Sequence, residues 1–230
     1  MKYTVSVVIP AYNEEASLKE LYTRICDVLS ACERVSDFEI IFINDGSTDH
    51  SAEILHALAD EDPRVSVITF AHNRGKSAGL SAGFAKAAGD LIFTIDADLQ
   101  DDPADMPDFI GKLEEGYDLV SGWKTERQDS TEKKSASKIF NRTVALTFGI
   151  PLHDFDCGYK LYRAPLAKQL KLTLSIYRYI PVLAVHLGYK VTEIPVHHHP
   201  RKYGHSRYGF TRYFTGLRDY LYVIYLVKRK

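Results

Sequence analysis

The sequence predicts an α/β fold in which a mostly parallel sheet is flanked by helices. Short apolar runs rich in β-branched residues alternate with segments of helical periodicity over about the first 100 residues. Because parallel strands need a crossover connection, this alternation indicates helices on both faces of the sheet. The chain has 230 residues, 45% of them hydrophobic, which is enough for one large domain with a substantial core.

Four strands and three helices are predicted in the first half of the chain. The strands are expected at residues 5–10, 38–43, 65–70 and 91–95. Apolar residues at helical spacing, from Leu18 to Leu29, predict a helix over 14–29. A second helix is expected to end near 59, with Ser47 or Thr48 as its cap, and a third to span 76–88.

The second half is less regular. A strand near 117–122, a charged loop over 124–134 and a helix over 135–148 are expected, followed by a strand at 188–195, a basic loop at 197–209 and a helix at 210–227. From His197 onward the chain carries eight Lys or Arg residues and one acid, Asp219. We predict two units, a catalytic domain over 1–209 and an amphipathic C-terminal helix over 210–230.

The last helix has two interpretations. Its broad apolar stripe fits a helix that packs on the core, or one that lies in the boundary of a bilayer with its basic end near anionic lipids. The stripe consists of Phe210, Tyr213, Phe214, Leu217, Leu221, Ile224 and Tyr225.

The composition limits the kinds of partner that we expect and indicates the cellular compartment. The net charge of −1 argues against a nucleic-acid partner, and the three cysteines, which lack paired metal spacing, are expected to be reduced cytosolic thiols. No stretch reaches the roughly 18–20 apolar residues that span a bilayer. We therefore expect a cytoplasmic protein, located at the cytoplasmic face of the membrane.

Four aspartates within seven residues directly follow the predicted strand at 91–95. Asp96, Asp98, Asp101 and Asp102 would repel one another, and a divalent cation would relieve that repulsion. Mg²⁺ takes oxygen ligands, usually one or two carboxylates together with substrate phosphates. We predict Asp98 as a metal ligand, Asp96 near the metal or a ribose, and Gln100 as a further oxygen donor. The alternative is a solvated acidic turn that caps a helix starting near Pro103, and we assign Asp101 and Asp102 to this acidic first turn.

The loops after the first two predicted strands also carry polar groups. Tyr12 offers an aromatic face to a base, while Glu14 and Asp45 offer carboxylates to a base or ribose. Taken alone, the first loop is more typical of a helix start with acids in its first turn, whereas the second fits a binding loop and a capped turn equally well. Because ligands of parallel sheets bind beyond the carboxyl ends of the strands, we expect these loops and the acidic loop to converge on one crevice.

Four ordered motifs resemble glycosyltransferase family 2. They are residues 10–14 (Pro-Ala-Tyr-Asn-Glu), 45–49 (Asp-Gly-Ser-Thr-Asp), 73–76 (Asn-Arg-Gly-Lys) and 96–103, which includes an Asp-x-Asp (DXD) motif. More narrowly, the chain resembles the polyprenyl- or dolichyl-phosphate sugar synthases, of the dolichol-phosphate mannose synthase type. The likeness continues through 121–124, Arg127, 154–160 and 199–209, and it covers the chain to about Leu221.

The resemblance implies a GT-A fold, a UDP- or GDP-sugar donor and Mg²⁺ or Mn²⁺. By position, the nucleoside would contact Pro10, Tyr12, Glu14 and Asp45, with Lys76 also on the donor side. The metal and pyrophosphate would meet Asp96, Asp98 and Gln100. Phosphate groups of donor and acceptor would be bound by Arg127, Arg201 and Arg207.

The implied reaction is an inverting sugar transfer to a polyprenyl phosphate. A phosphate acceptor is already an anion and needs little general-base catalysis, whereas the alternative, a hydroxyl acceptor on a glycan or small molecule, needs a carboxylate base. Asp154 and Asp156 are the candidates for that base, and Asp154 matches the family position. A sugar-nucleotide-binding module without catalysis is a third hypothesis.

Two further expectations concern the basic end of the chain. Neighbouring residues on a strand point to opposite faces, so His197, His198 and His199 fit a phosphate-gripping loop better than a zinc site. Many members of the resembled family continue into transmembrane helices, whereas this sequence stops at Lys230. We therefore expect it to pair with a separate membrane protein, bind the membrane surface or form a homo-oligomer.

Overall fold

Seven strands form one sheet in the computed structural model, which describes residues 2–125, 131–203 and 211–229, with main chain alone for 131–136 and 211–215. The spatial order is β3-β2-β1-β4-β6-β5-β7. The strands are β1 (Tyr3–Ala11), β2 (Val35–Asn44), β3 (Val65–Thr69), β4 (Leu91–Thr94), β5 (Leu119–Trp123), β6 (Lys160–Arg163) and β7 (Val191–Pro195).

Eight α-helices within the described ranges surround this sheet. They are α1 (Leu18–Ala31), α2 (Ser51–Glu61), α3 (Lys76–Lys86), α4 (Met106–Glu114), α5 (Thr131–Phe148), α6 (Ala164–Gln169), α7 (Ile180–His186) and α8 (Thr211–Lys228). Single turns of 3₁₀-helix precede α4 and α7 at Pro103–Asp105 and Ile176–Tyr179.

The sheet is mostly parallel, as predicted. Strands β1 to β4 run parallel to one another, and β7 is parallel to β5. Strand β6 is the exception, because it lies antiparallel between β4 and β5. Alternate residues of each strand point to opposite faces, and β1 accordingly sends Val7 into one core and Val8 into the other.

Each face of the sheet has its own hydrophobic core. Helices α1, α2 and α4 cover the first face with residues such as Leu21, Leu55 and Phe109. Helices α3, α5, α6, α7 and α8 contribute to the second core. Because β1, β2 and β4 are parallel, their carboxyl ends lie at the same edge of the sheet, where the acidic loop begins.

One helix cap was predicted wrongly. Residue His50 occupies the N-cap of α2, and neither Ser47 nor Thr48 caps this helix. The Ser47 hydroxyl instead accepts a hydrogen bond from the Asn13 amide at 3.0 Å. A contact with the neighbouring loop therefore outcompetes the local cap.

The second half contains elements that the sequence interpretation did not include. Helix α5 begins at Thr131 rather than 135, and strand β6 and helices α6 and α7 were not predicted. Helix α7 is buried over most of its length, so its sequence lacks the one-sided periodicity that reveals an amphipathic helix. Pro165 and Pro181, each in the first turn of its helix, were the available signals.

Helix α8 lies close to its predicted bounds and divides its apolar residues between two environments. Val223 is fully buried, whereas Leu217, Leu221 and Tyr225 are 59%, 57% and 53% exposed. Tyr220 hydrogen-bonds Thr147 of α5 at 2.7 Å. The expected domain boundary at 209/210 lies outside the described residues. Across the described parts of the chain, every helix is too short or too polar to cross a membrane.

Candidate active site

The loops that follow β1 and β2 are joined by the side chain of Asn13. Its Oδ1 accepts from the Thr48 amide at 2.6 Å, and its Nδ2 donates to the Thr48 hydroxyl at 3.1 Å. Asn13 has a φ of +54°, a left-handed conformation that asparagine tolerates better than most residues. The loops carrying Glu14 and Asp45 therefore lie side by side, as the sequence predicted.

Asp45 fastens a third loop, the one that leads into α3. Its buried carboxylate accepts from the amides of Arg74 at 2.7 Å and Gly75 at 2.9 Å. Next to it, Gly46 has a φ of +72°, and a Cβ there would lie 2.5 Å from the His72 carbonyl carbon. A nucleoside contact with Asp45 would use the lone pairs that these two amides leave available.

Asp96 forms an ion pair with Lys76 at the start of α3. Burial alone would raise the pKa of Asp96, but the positive charges of Lys76, Lys124 and Lys160 lower it. The chain passes so close to this pair at Gly158 that a Cβ there would lie 2.6 Å from Asp96 Oδ2 and 2.7 Å from Lys76 Nζ. The Asp96 carboxylate is thus held ionised by its cations, in a position that leaves about a third of its side chain (34%) exposed.

Asp98 is bound by Arg201, which comes from the far end of the chain. Arg201 Nη2 lies 2.5 Å from Asp98 Oδ2 and 3.3 Å from Gln100 Oε1, and its Nη1 lies 3.9 Å from Glu14 Oε1. Burial and the neighbouring charge of Asp96 raise the pKa of Asp98, against the opposing effect of Arg201. The structure thus brings together Glu14, Asp98, Gln100 and Arg201, four of the predicted site residues.

Asp101 differs from its predicted role as a solvated acid. Its side chain is fully buried and lies 2.7 Å from Lys124 Nζ, just beyond the end of β5. Burial alone would lower the pKa of Lys124, but the charge of Asp101 raises it. The prediction for Asp101 was therefore wrong, because a lysine distant in sequence pairs with it.

Asp102 does cap the turn before α4, as predicted. Its Oδ1 accepts from the Ala104 amide at 3.0 Å and also pairs with Arg24 at 2.8 Å. Each of the four aspartates therefore has its own cation within the protein. These pairs reduce the mutual repulsion from which the sequence predicted a metal ion, although the charges of Asp96 and Asp101 still raise the pKa of Asp98.

Residues 196–202, which we call the strap, follow β7 and run along the acidic loop. His197 Nδ1 lies 2.6 Å from Asp105 Oδ1, and His199 Nε2 lies 2.8 Å from Asp102 Oδ2. The His199 amide donates to the Gln100 carbonyl at 2.7 Å. These histidines hold the strap in place, and a phosphate-binding role for them stays a prediction.

Asp154 lies in a buried turn before β6. Its side chain is 2% exposed, and its Oδ1 accepts from the Asp156 amide at 3.1 Å. Glu193 of β7 accepts from the Asp154 amide at 3.2 Å, and Asp156 pairs with Arg178 at 3.1 Å. Both carboxylates thus take part in the folding of this turn.

The remaining predicted site residues are Pro10, Tyr12, Arg127 and Arg207. Pro10 and Tyr12 are half-buried at the end of β1 and just beyond it. Arg127 and Arg207 lie outside the described residues. The sequence interpretation gave no role to Lys124 or Gly158, although both belong to segments that carried the family resemblance.

The donor atoms of the acidic loop fit a hard divalent cation. Within the described ranges, no group of three or more His, Cys, Asp and Glu side chains could hold a metal by itself. Mg²⁺, however, commonly takes only one or two protein carboxylates and completes its shell with phosphates and water. The Asp98 carboxylate and the Gln100 amide oxygen provide such a partial set.

The sequence of this chain is similar to those of known proteins. The model of the family described as glycosyl transferase family 2 matches residues 6–171. Undecaprenyl-phosphate 4-deoxy-4-formamido-L-arabinose transferase from Salmonella choleraesuis (strain SC-B67) is 42% identical over 217 residues, which are 94% of this chain and 65% of that protein. The chain thus spans slightly less than two thirds of the length of the curated relatives it matches.

Solved structures resemble the whole sheet. Glucosyl-3-phosphoglycerate synthase from Mycobacterium tuberculosis, in complex with Mn²⁺ and UDP-glucose, superposes with a TM-score of 0.70 at 21% identity, over 98% of this chain and 79% of that one. The mannosyltransferase PcManGT from Pyrobaculum calidifontis, in complex with GDP-mannose and Mn²⁺, gives 0.69 at 15% identity, over 100% and 65%. These likenesses concern the fold, and they confirm the expected GT-A architecture.

Proposed function

The chain belongs to glycosyl transferase family 2, and on that basis we propose that it transfers a sugar from a UDP- or GDP-sugar to a polyprenyl phosphate, with inversion at the anomeric carbon. One observation carries this proposal. Over 94% of its length the chain is 42% identical to a transferase whose named acceptor is undecaprenyl phosphate. The crevice supplies charged groups of the kinds that such a transfer needs.

The donor is assigned to the loops after β1, β2 and β4. Pro10, Tyr12, Glu14 and Asp45 would hold the nucleoside, with Asp96 near the ribose. Breaking the bond to the anomeric carbon builds negative charge on the diphosphate, and preorganised cations stabilise such charge. Lys76 is the nearest described lysine to Asp96 and would contribute to that stabilisation.

We propose Mg²⁺ or Mn²⁺ as the metal, held by Asp98 and Gln100 with Asp96 close by. A bound divalent ion would supply electrostatic stabilisation to the diphosphate. The chain's own residues bind and orient the two substrates. Arg201 is suited to a phosphate because its planar guanidinium matches two oxygens at once.

The acceptor is proposed to be the nucleophile in its anionic form. A phosphate oxygen needs no base, whereas a hydroxyl acceptor would need one, and Asp154 was the candidate. The burial of Asp154 and the amide bonded to its Oδ1 support the phosphate acceptor, since this carboxylate is engaged in its own turn. We expect the reaction to take place at the cytoplasmic face of a membrane, because the acceptor is a lipid.

Transfer assays distinguish the acceptor classes. Labelled UDP- and GDP-sugars are incubated with the protein, a divalent cation and either a short polyprenyl phosphate, the matching prenol or a saccharide. We expect label in the lipid only when the phosphate is present. Transfer to a saccharide without lipid would support the hydroxyl-acceptor alternative instead.

Replacement of Asp98 tests catalysis against mere donor binding. Asp98→Asn keeps the shape of the side chain but loses the charge, and we expect transfer to fall about a hundredfold or more. The matched control is Asp60→Asn, an exposed acid near the end of α2, which should keep normal turnover. Unchanged turnover in Asp98→Asn would remove this residue from the catalytic site.

A further inference from the structure

Arg201 occupies the position at which a cation would meet the acidic loop. Its Nη2 lies within 2.5 Å of Asp98 Oδ2 and 3.3 Å of Gln100 Oε1. Both oxygens belong to the set proposed above for a divalent metal. A guanidinium and a metal ion cannot bind the same lone pairs at the same time, so the two cations compete for these atoms.

The strap that carries Arg201 is anchored at its start and held by ion pairs at its end. The Val196 amide donates to the Trp123 carbonyl at 3.0 Å, and His197 is held by Asp105. At the other end the contacts are between charged side chains, Arg201 with Asp98 and Lys202 Nζ with Glu20 at 2.7 Å. Contacts of the second kind can exchange partners without unfolding the backbone.

We propose that the strap is an internal latch, in which Arg201 neutralises Asp98 until a divalent cation takes its place. The inference rests on the metal site of the proposed function and adds a regulatory step to it. The incoming ion carries a larger charge than the guanidinium and repels it. Arg201 is thereby released from Asp98 and becomes available to bind a phosphate group at the mouth of the crevice.

The latch gives the order of binding a physical basis. While Arg201 is paired with Asp98, its guanidinium is committed to a carboxylate and is a poor ligand for an acceptor phosphate. Once the metal is bound, the same guanidinium lies next to a site with excess positive charge, which favours an anion beside it. Metal loading therefore precedes productive acceptor binding.

The test measures Mn²⁺ binding to the full chain by isothermal titration calorimetry, with no nucleotide and no lipid. Arg201→Gln removes the competing charge, and we expect Mn²⁺ to bind about two- to fivefold more tightly, the equivalent of one partly exposed ion pair. The control is Lys202→Gln, which lies next to it but pairs with Glu20, and it should bind Mn²⁺ like the unmodified protein. Thermal unfolding of each variant checks that it is folded.

A charge-preserving variant and a second readout complete the test. Arg201→Lys keeps a competing cation, so its Mn²⁺ affinity should lie closer to that of the unmodified protein than to that of Arg201→Gln. The side-chain guanidinium signal of Arg201 in an NMR spectrum should shift when Mg²⁺, a diamagnetic ion, is added to the unmodified protein, since release from Asp98 changes the side chain and leaves the backbone bonds of Val196 and His199 in place.

Three results would overturn the latch. They are equal or weaker Mn²⁺ binding by Arg201→Gln, equal tightening by Arg201→Lys, and no detectable Mn²⁺ binding by any variant. None of these measurements depends on sugar transfer. A protein that fails to glycosylate polyprenyl phosphate can still have the latch, and an active transferase can lack it.

Discussion

At the residue scale, the neighbouring ion pair between Asp96 and Lys76 favours glycine at position 158, and the backbone angles do not. An added Cβ would lie 2.6 Å from Asp96 Oδ2 and 2.7 Å from Lys76 Nζ, well inside van der Waals contact. The segment before β6 can approach the acidic loop only because this residue has no side chain. The absence of a side chain at this residue thus lets the two halves of the chain meet at the crevice.

Gly158→Ala should therefore be destabilising. The methyl group must displace the ends of the Lys76 and Asp96 side chains, which are flexible and partly exposed, so we expect a loss of about 1 kcal/mol or less, at the low end of the cost of overpacking. Urea unfolding measures the loss, and nucleotide binding should weaken in parallel. The control is Gly216→Ala in α8, where no atom lies within 4 Å of the new Cβ, so helix propensity should leave stability equal or slightly higher. Equal stability of Gly158→Ala and the unmodified protein would mean that the two side chains move aside without cost.

Residues close in sequence were predicted better than their distant partners. The acidic loop was recognised because four aspartates directly follow an apolar run. Its pairing with Lys124 and Arg201 could not be read from the pattern, since these partners lie 23 and 103 positions away from Asp101 and Asp98. Local chemistry identifies a charged loop, whereas the fold decides which cation balances each acid.

At the element scale, the strap depends on a histidine whose charge varies near neutral pH. The hydrogen bond to Asp105, followed by the charges of Asp105, Asp102 and Asp108, raises the pKa of His197. A raised pKa in the folded state means that the protonated form is favoured by the contact. The stabilisation is complete below the ordinary histidine pKa of about 6.5 and is lost as pH rises through the raised value.

We therefore expect the strap to loosen as pH rises from about 6 to 8. Hydrogen exchange of the amides at 197–202, corrected for the intrinsic effect of pH, should accelerate over this range. NMR titration should give a pKa for His197 above that of an unperturbed histidine. In Asp105→Asn the elevation should disappear, and an unchanged titration there would show that another group holds the proton.

Regular elements with a clear period were predictable, and short buried ones were not. The four strands of the first half and helices α1 and α3 lie within a few residues of their expected positions. Strand β6 has four residues and α7 has seven, too few to display a period. The cap of α2 was missed for a different reason, because Ser47 bonds Asn13 across the crevice instead of its own helix.

At the scale of the whole molecule, α8 joins the second core and leaves an apolar row outside it. Val223 is buried in that core, whereas Leu217, Leu221 and Tyr225 recur every four residues on an exposed face. The burial of Val223 agrees with the packed-helix interpretation of the sequence, and the interfacial interpretation stays a prediction. A surface of this kind, near Lys228 and Arg229, fits the boundary of an anionic bilayer.

The double variant Leu217→Ser, Leu221→Ser should separate these roles. We expect stability to stay within about 0.5 kcal/mol of the unmodified protein, as is usual for exposed positions. Flotation with vesicles of phosphatidylcholine and phosphatidylglycerol should show weaker association than that of the unmodified protein. Val223→Ala is the matched control, with a loss of about 1–3 kcal/mol and normal flotation while folded. A large loss of stability in the double variant would assign that face to the core.

The strand order also determines how the protein can assemble during its synthesis. Strands β1 to β4 pair with one another and are complete once residue 94 has been made, whereas β5 pairs only with the later strands β6 and β7 among the described elements. A nascent chain can therefore build half of the sheet while Arg201 has yet to be translated. The growing domain exposes Asp98 without its partner at that stage. The crevice acquires its balance of charge only when the segment that carries Arg201 has emerged from the ribosome.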